Sequence, residues 1–189
     1  MDGKVRNIGP LLRSRGAYSP LWEQLLILIS TEYHEMGQNS CMDQIYQIDE
    51  SKKAQFIAYI QEARCGVIAT ADREHGPESA FINLAVTSEL AILFETLITS
   101  RKYRNLQRDP RASLVIGGHG QTTLQLEGLV DEPTETLRDE VMSTYYEACS
   151  QNLSHSNWPG VTYMRFRPRW VRYSDYGLPW KVEEYFLSR

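Results

Sequence analysis

The sequence predicts a mainly β protein of the α+β class, built as an antiparallel six-stranded barrel with helices at its periphery. Short apolar or alternating segments recur from Cys65 onward, and the turns between most of them are too short for parallel crossovers. Three stretches of helical period lie between and around those segments. Closure into a barrel follows because it leaves no strand edge exposed.

The first helix is expected over residues 49–63, DESKKAQFIAYIQEA, where Phe56, Ile57, Ile60 and Ala63 share a face and Asp49 or Ser51 supplies an N-cap. Cys65–Ala71 is a short apolar strand, followed by turn residues Asp72–Gly76. Ser79–Thr87 alternates, placing Ala80, Ile82, Leu84 and Val86 on one face and Ser79, Phe81, Asn83 and Ala85 on the other. Leu90–Thr96 is its paired strand. Thr99 or Ser100 then caps a short helix that Pro110 stops. Ala112–Gly118 and Thr122–Val130 are strands joined at Gly117-Gly118-His119-Gly120, which reads as a hairpin turn rather than a phosphate loop because no helix follows it. Pro133 opens a helix running to about Gln151, with Leu137, Val141, Tyr145 and Ala148 inward. Val161–Arg167 and Trp170–Asp175 are strands split by Pro168.

Residues 1–48 read as an N-terminal extension, expected to be poorly ordered, residues 49–176 as the domain, and residues 177–189 as a tail. The longest aliphatic run, Leu25–Ile29, is far shorter than the roughly 20 residues of a spanning helix, so no membrane partner is expected. Hydrophobic residues make up 42% and charged residues 23%, which excludes wholesale disorder, and the net charge of -4 argues against a generally nucleic-acid-binding surface. The three cysteines, Cys41, Cys65 and Cys149, form no CxxC pair, so a reducing, cytoplasmic setting is expected and Cys65 and Cys149 read as small buried hydrophobes. Four scattered histidines have no metal-ligand spacing, and no metal is expected. Trp158, Trp170 and Trp180 read as core or interface residues.

Chemistry concentrates between Phe94 and Ile116, FETLITSRKYRNLQRDPRASLVI. A strand ends at Glu95-Thr96, and the next helix carries Ser100, Arg101 and Lys102 at its start. Unpaired amides and the positive end of the dipole make such a start an anion site. Two cations there oppose the dipole unless an anion is bound, and Arg with Lys makes phosphate the natural ligand. A solvated basic face formed by Arg101, Lys102, Arg104, Arg108 and Arg111 is the plainer alternative.

The segment T-x-x-x-S-R-K-x-x-N-L-x-x-D-P-R-x-S-L, Thr96 to Leu114, within the order of elements from Asp49 to Asp175, resembles the pyridoxamine 5'-phosphate oxidase-like family of FMN-binding split β-barrels. The resemblance covers about two-thirds of the chain and implies a flavoprotein oxidoreductase, usually a homodimer with FMN at the subunit interface. It implies that Ser100, Arg101 and Lys102 hold the FMN phosphate, that Glu95 and Thr96 sit near the flavin, and that Phe81, Ile82 and Asn83 line its ring. Thr123 falls near a Gln that commonly contacts the flavin. This chain departs from the true oxidases at Ala80 and Ala85, which stand where they place Arg and Lys. Residues 145–155, YYEACSQNLSH, do not match the substrate-phosphate motif, and Trp170-Val171-Arg172-Tyr173 matches the C-terminal motif only loosely. A small-molecule substrate is expected, its identity open. The alternative is a non-catalytic flavin- or haem-binding protein, although the haem branch often has His where this chain has Lys102.

Overall fold

The computed structural model describes residues 45–72, 76–117 and 120–187. Most of the extension, with His34 and Cys41, lies outside the described residues, as do His75, Gly118 and His119.

Strand β1 (Ile45–Gln47) leads into helix α1 (Glu50–Ala63). Of the two cap candidates Asp49 serves: its Oδ1 accepts from the Lys52 amide at 2.8 Å. Asp49→Ala leaves that amide without its partner and lowers stability by about 1 kcal/mol, checked by denaturant unfolding. Strands β2 (Cys65–Asp72), β3 (Gly76–Asn83), β4 (Ala85–Val86) and β5 (Ile92–Leu97) follow. Helix α2 (Arg101–Arg108) then precedes β6 (Arg111–Gly117) and β7 (Thr122–Asp131). Helix α3 (Glu135–Ala148), a 3-10 helix over Ser150–Asn157, and strands β8 (Val161–Asp175) and β9 (Lys181–Phe186) complete the order.

Among the described residues nine strands form one sheet in the order β1-β9-β8-β7-β6-β2-β3, with β5 paired to β8 and β4 to β5. The fold class, mainly β with few helices, is as expected. The six-stranded antiparallel barrel is corrected in two ways. The β1–β9 pairing is parallel, so the sheet is mixed. No ladder joins β3 to β5, so hydrogen bonding does not close it. The break between β3 and β4 falls at Leu84. Its amide still donates to Arg64 O at 3.0 Å, in register with the β2–β3 ladder, but Leu84 is buried in the main core and Ala85 in the cluster under α3, so the alternation expected over Ser79–Thr87 breaks into β3 and β4. The terminal segments also contribute: β1 falls within residues 1–48 and β9 within 177–189.

Pro168 does not split β8, which runs unbroken for 15 residues. On one side β8 pairs with β5 up to Phe166 and with β9 from Trp170, so Pro168 falls in the gap between partners and its missing N–H breaks no ladder bond. On the other side a bulge at Glu127/Gly128 sets Gly128 opposite Pro168.

Phe56, Ile60, Ile68, Phe94, Leu114, Ile116, Leu124 and Phe166 are fully buried between α1 and the sheet. A second cluster packs Val141, Tyr145, Tyr146 and Cys149 on Ala85, Leu93 and Tyr163. Helix α3 starts at Glu135 rather than Pro133, and Leu137 is exposed instead of inward. Cys149 is buried, but Cys65 is only half-buried. Trp158 and Trp180 are exposed rather than in the core. No helix of the described residues is long and apolar enough to cross a membrane.

Lys52 fastens α1 to β9 through Glu183 at 2.9 Å and lies over the Tyr173 and Tyr185 rings. Burial raises the Glu183 pKa, but hydrogen bonds from Lys52 and Lys181 outweigh it and hold the carboxyl below its ordinary value. A depressed carboxyl contributes stability above its unfolded pKa and loses it as pH falls through the folded one. Glu183→Gln is expected to remove that part of the acid-side decline, read as a flatter plot of midpoint against pH.

Candidate functional site

Strand β5 ends at Leu97, and the turn into α2 is closed by Ser100 N donating to Leu97 O at 2.9 Å. Of Thr99 and Ser100, the cap is Ser100: its Oγ accepts from the Tyr103 amide at 3.2 Å and lies 2.9 Å from Thr96 Oγ1. No acidic residue occupies the first turn of α2, which instead carries Arg101 and Lys102. Arg101 Nη1 is held by Glu78 Oε1 at 2.8 Å, and Glu78 Oε2 accepts from Asn105 Nδ2 at 2.9 Å, tying α2 to β3. Lys102 is different. It is half-buried, burial lowers its pKa, and no carboxylate of the described residues lies within ion-pair distance. Two small clefts meet at Ser100 and Lys102: one of about 160 Å³ bordered by Thr70, Glu78, Ser79 and Ala80, and one of about 180 Å³ bordered by Glu95, Thr96, His155 and Trp158.

The basic-face reading holds for parts of the segment. Arg104 donates to its own turn at Thr99 O, and Arg111 pairs with Asp109 at 2.6 Å. Arg165 and Arg167, two residues apart on β8, both pair with Asp131.

Thus the chain brings Glu95, Thr96, Ser100, Arg101 and Lys102 together. The other expected residues do not border these two clefts. Phe81 lies on the outer face of β3 and is 69% exposed, while the Ile82 side chain is in the core and can offer only backbone. Asn83 Nδ2 reaches Asn152 Oδ1 at 3.5 Å, on the side of the 3-10 helix. Thr123 pairs with Gly117 at the start of β7, with β2 and β6 between it and β3. Trp170 donates to Glu184 Oε2 at 3.3 Å.

Sequence reasoning missed the network around Glu95. His155 Nδ1 is 2.6 Å from Glu95 Oε1, and Tyr146 OH donates to Glu95 Oε2 at 3.2 Å. Because that uses the Tyr146 proton, Tyr163 OH donates to Tyr146 across their 2.9 Å contact. Burial, then the Tyr163 contact and Glu95, raise the Tyr146 pKa and keep the phenol protonated. The His155 ring packs on Trp158 at 4.2 Å between centroids. The pair is 60 residues apart in sequence, and the only local signal is His155 and Trp158 at the spacing of one turn.

A family model described as pyridoxamine 5'-phosphate oxidase matches residues 53–175. The chain belongs to the pyridoxamine 5'-phosphate oxidase-like family. Members and neighbours of that family are recognisable in solved structures. A heme binding protein from Mycobacterium smegmatis is 19% identical with a TM-score of 0.62, over 75% of this chain and 60% of that one. This chain therefore spans 60% of that protein's length. A Clostridium acetobutylicum protein related to general stress protein 26 of B. subtilis, of the pyridoxinephosphate oxidase family, is 14% identical with a TM-score of 0.59, over 74% and 96%. HutZ, the heme storage protein from Vibrio cholerae, is 16% identical with a TM-score of 0.54, over 61% and 88%. At these identities the likeness is one of fold. No curated protein matches the chain.

Proposed function

We propose that this chain is an FMN-binding flavoprotein oxidoreductase that works as a homodimer with the flavin at the subunit interface, residues 49–176 forming the cofactor domain. The observation that carries the reading is Lys102, a cation held half-buried at the start of α2, where burial and the helix dipole both disfavour it and no carboxylate of the described residues compensates. A phosphate there offsets both costs. Lys102 is its counter-charge, the first-turn amides of α2 its hydrogen-bond donors, and Ser100 and Thr96 shape the turn that presents them. Arg101, already neutralised by Glu78, borders the same cleft and orients rather than dominates.

When bound, FMN supplies two-electron redox chemistry at its ring; the chain anchors, orients and shields it. Phe81 and Asn83 contribute side chains along β3, Ile82 its backbone, and Glu95 closes the strand end. Thr123 fits this assignment only from the partner subunit. An exposed apolar row crosses the outer face, Phe81 beside Val67 and Val67 beside Val115, and supports a dimer that covers it. Ala80 and Ala85 supply neither cation of the true oxidases, so the substrate is not taken to be pyridoxamine phosphate. Anaerobic reduction of the FMN-loaded protein by dithionite, followed by air, is the test: bleaching and return of the flavin band are expected, and a bound flavin that could not be reduced would contradict the assignment.

Haem binding is a second reading. It is supported by the two neighbours named for heme and by His155, whose Nδ1 is held by a carboxylate while Nε2 has no partner among the described residues, the arrangement of a metal-ligating imidazole.

A further inference from the structure

The structure assigns His155 to proton exchange with a ligand in the cleft between α2 and the 3-10 helix: we propose that Nε2 accepts the proton of a small neutral O–H acid, an enol or a phenol, whose oxygen is received beside Lys102. The cleft, about 180 Å³, has two ends of different chemistry. Leu97, Val161 and Trp158 give it an apolar wall, and Thr96, Ser100, Lys102 and His155 give it a polar one. A flat apolar body with one hydroxyl satisfies both.

The geometry fixes what His155 can do. Glu95 sits on β5 with its carboxylate largely sheltered, 13% exposed, and holds His155 Nδ1 at 2.6 Å. A carboxylate at that distance takes the Nδ1–H, so in the neutral ring the lone pair lies on Nε2. Nε2 has no partner among the described residues. Trp158 fixes the ring plane from one side. Glu95 is itself fixed by Tyr146, which Tyr163 backs in turn, so the base rests on side chains from β5, α3 and β8. The charged and titratable groups facing it are Glu95, Tyr146 and Lys102, with Tyr163 behind. When Nε2 takes the ligand's proton, the O–H bond breaks and the N–H bond forms. The imidazolium is stabilised by Glu95 and the oxyanion by Lys102, and no electrons change hands. Glu95 is a positioning residue; His155 is the group that touches the ligand. Lys102 also borders the cleft of the proposed phosphate site, so the ligand is received in the flavin-free chain.

The test uses 4-nitrophenol, whose ionised form absorbs in the visible, titrated into the purified full chain below the probe's own pKa. Bound probe is expected to show the phenolate band, with His155 Nε2 shifting to a protonated nitrogen in the imidazole NMR spectrum. His155→Gln should abolish the phenolate band, and Glu95→Gln should reduce it at least tenfold at equal occupancy. A probe that binds as the neutral phenol overturns the proposal, as does one that fails to bind. A phenolate band that survives in His155→Gln also overturns it, because ionisation would then belong to Lys102 alone.

Discussion

Replacing Arg101 and Lys102 together by Gln lowers FMN affinity at least about a hundredfold, since each hydrogen bond to a charged phosphate is worth about 1.5–3 kcal/mol. The two residues do not share that loss equally. Arg101 enters the bound state already paired with Glu78 at 2.8 Å, so less of its charge is available to the phosphate. Lys102 has no such partner among the described residues, and Lys102→Gln alone should account for most of the effect. Its behaviour without ligand separates function from structure. A half-buried, uncompensated cation in the first turn of a helix costs stability, so Lys102→Gln should leave the melting temperature of the FMN-free protein unchanged or slightly raised. FMN fluorescence titration of the two single variants and the double variant checks the order, and thermal melts without FMN check the sign.

The largest loss of stability is expected at Gly128. A Cβ there would come within 2.2 Å of Arg167 O and 2.9 Å of Pro168 Cα. Both are backbone atoms of the neighbouring strand, so no rotamer change relieves the clash, and β7 and β8 must separate where the bulge meets Pro168. Gly128→Ala should therefore cost about 3 kcal/mol, near the top of the range for overpacking, and lower the melting temperature by about 6–12 °C. Gly117→Ala is the control. Its Cβ would come nearest the Thr123 side chain, at 3.2 Å, with the Thr122 carbonyl at an ordinary contact of 3.8 Å, and the melt should move by far less. Equal losses at both glycines would mean that the close strand approach at the bulge is not what requires Gly128.

The same bulge shows why part of the fold was legible and part was not. Period and punctuation located α1, α2 and most strands, because an amphipathic face or a cap is a property of neighbours in sequence. The fate of Pro168 was not of that kind. It depends on β8 changing partner from β5 to β9, and β9 lies in a segment that read as a tail. Leu84 is similar: its side chain fits a strand, but it and the next residue, Ala85, are buried in different clusters, which alternation in sequence does not show. In the candidate site, Ser100, Arg101 and Lys102 were legible because a helix start is a local anion device, whereas Thr96 came from the family resemblance and its contact with Ser100 only from the fold. His155 was not, since nothing near it in sequence marks a residue whose meaning comes from Glu95 on another element. Glu95 itself was found, but as a neighbour of the flavin rather than as the holder of a histidine. The separation of Thr123 from β3 was equally invisible, being a matter of strand order.

The central claim is that the half-buried Lys102 awaits the phosphate of a flavin. Its most direct test is the visible spectrum of the purified full chain titrated in parallel with FMN and with haemin. A saturable shift of the flavin bands that weakens in Lys102→Gln is the predicted result. A chain that leaves the FMN spectrum untouched while haemin develops a Soret band lost in His155→Gln would contradict it and move the cofactor from α2 to the 3-10 helix.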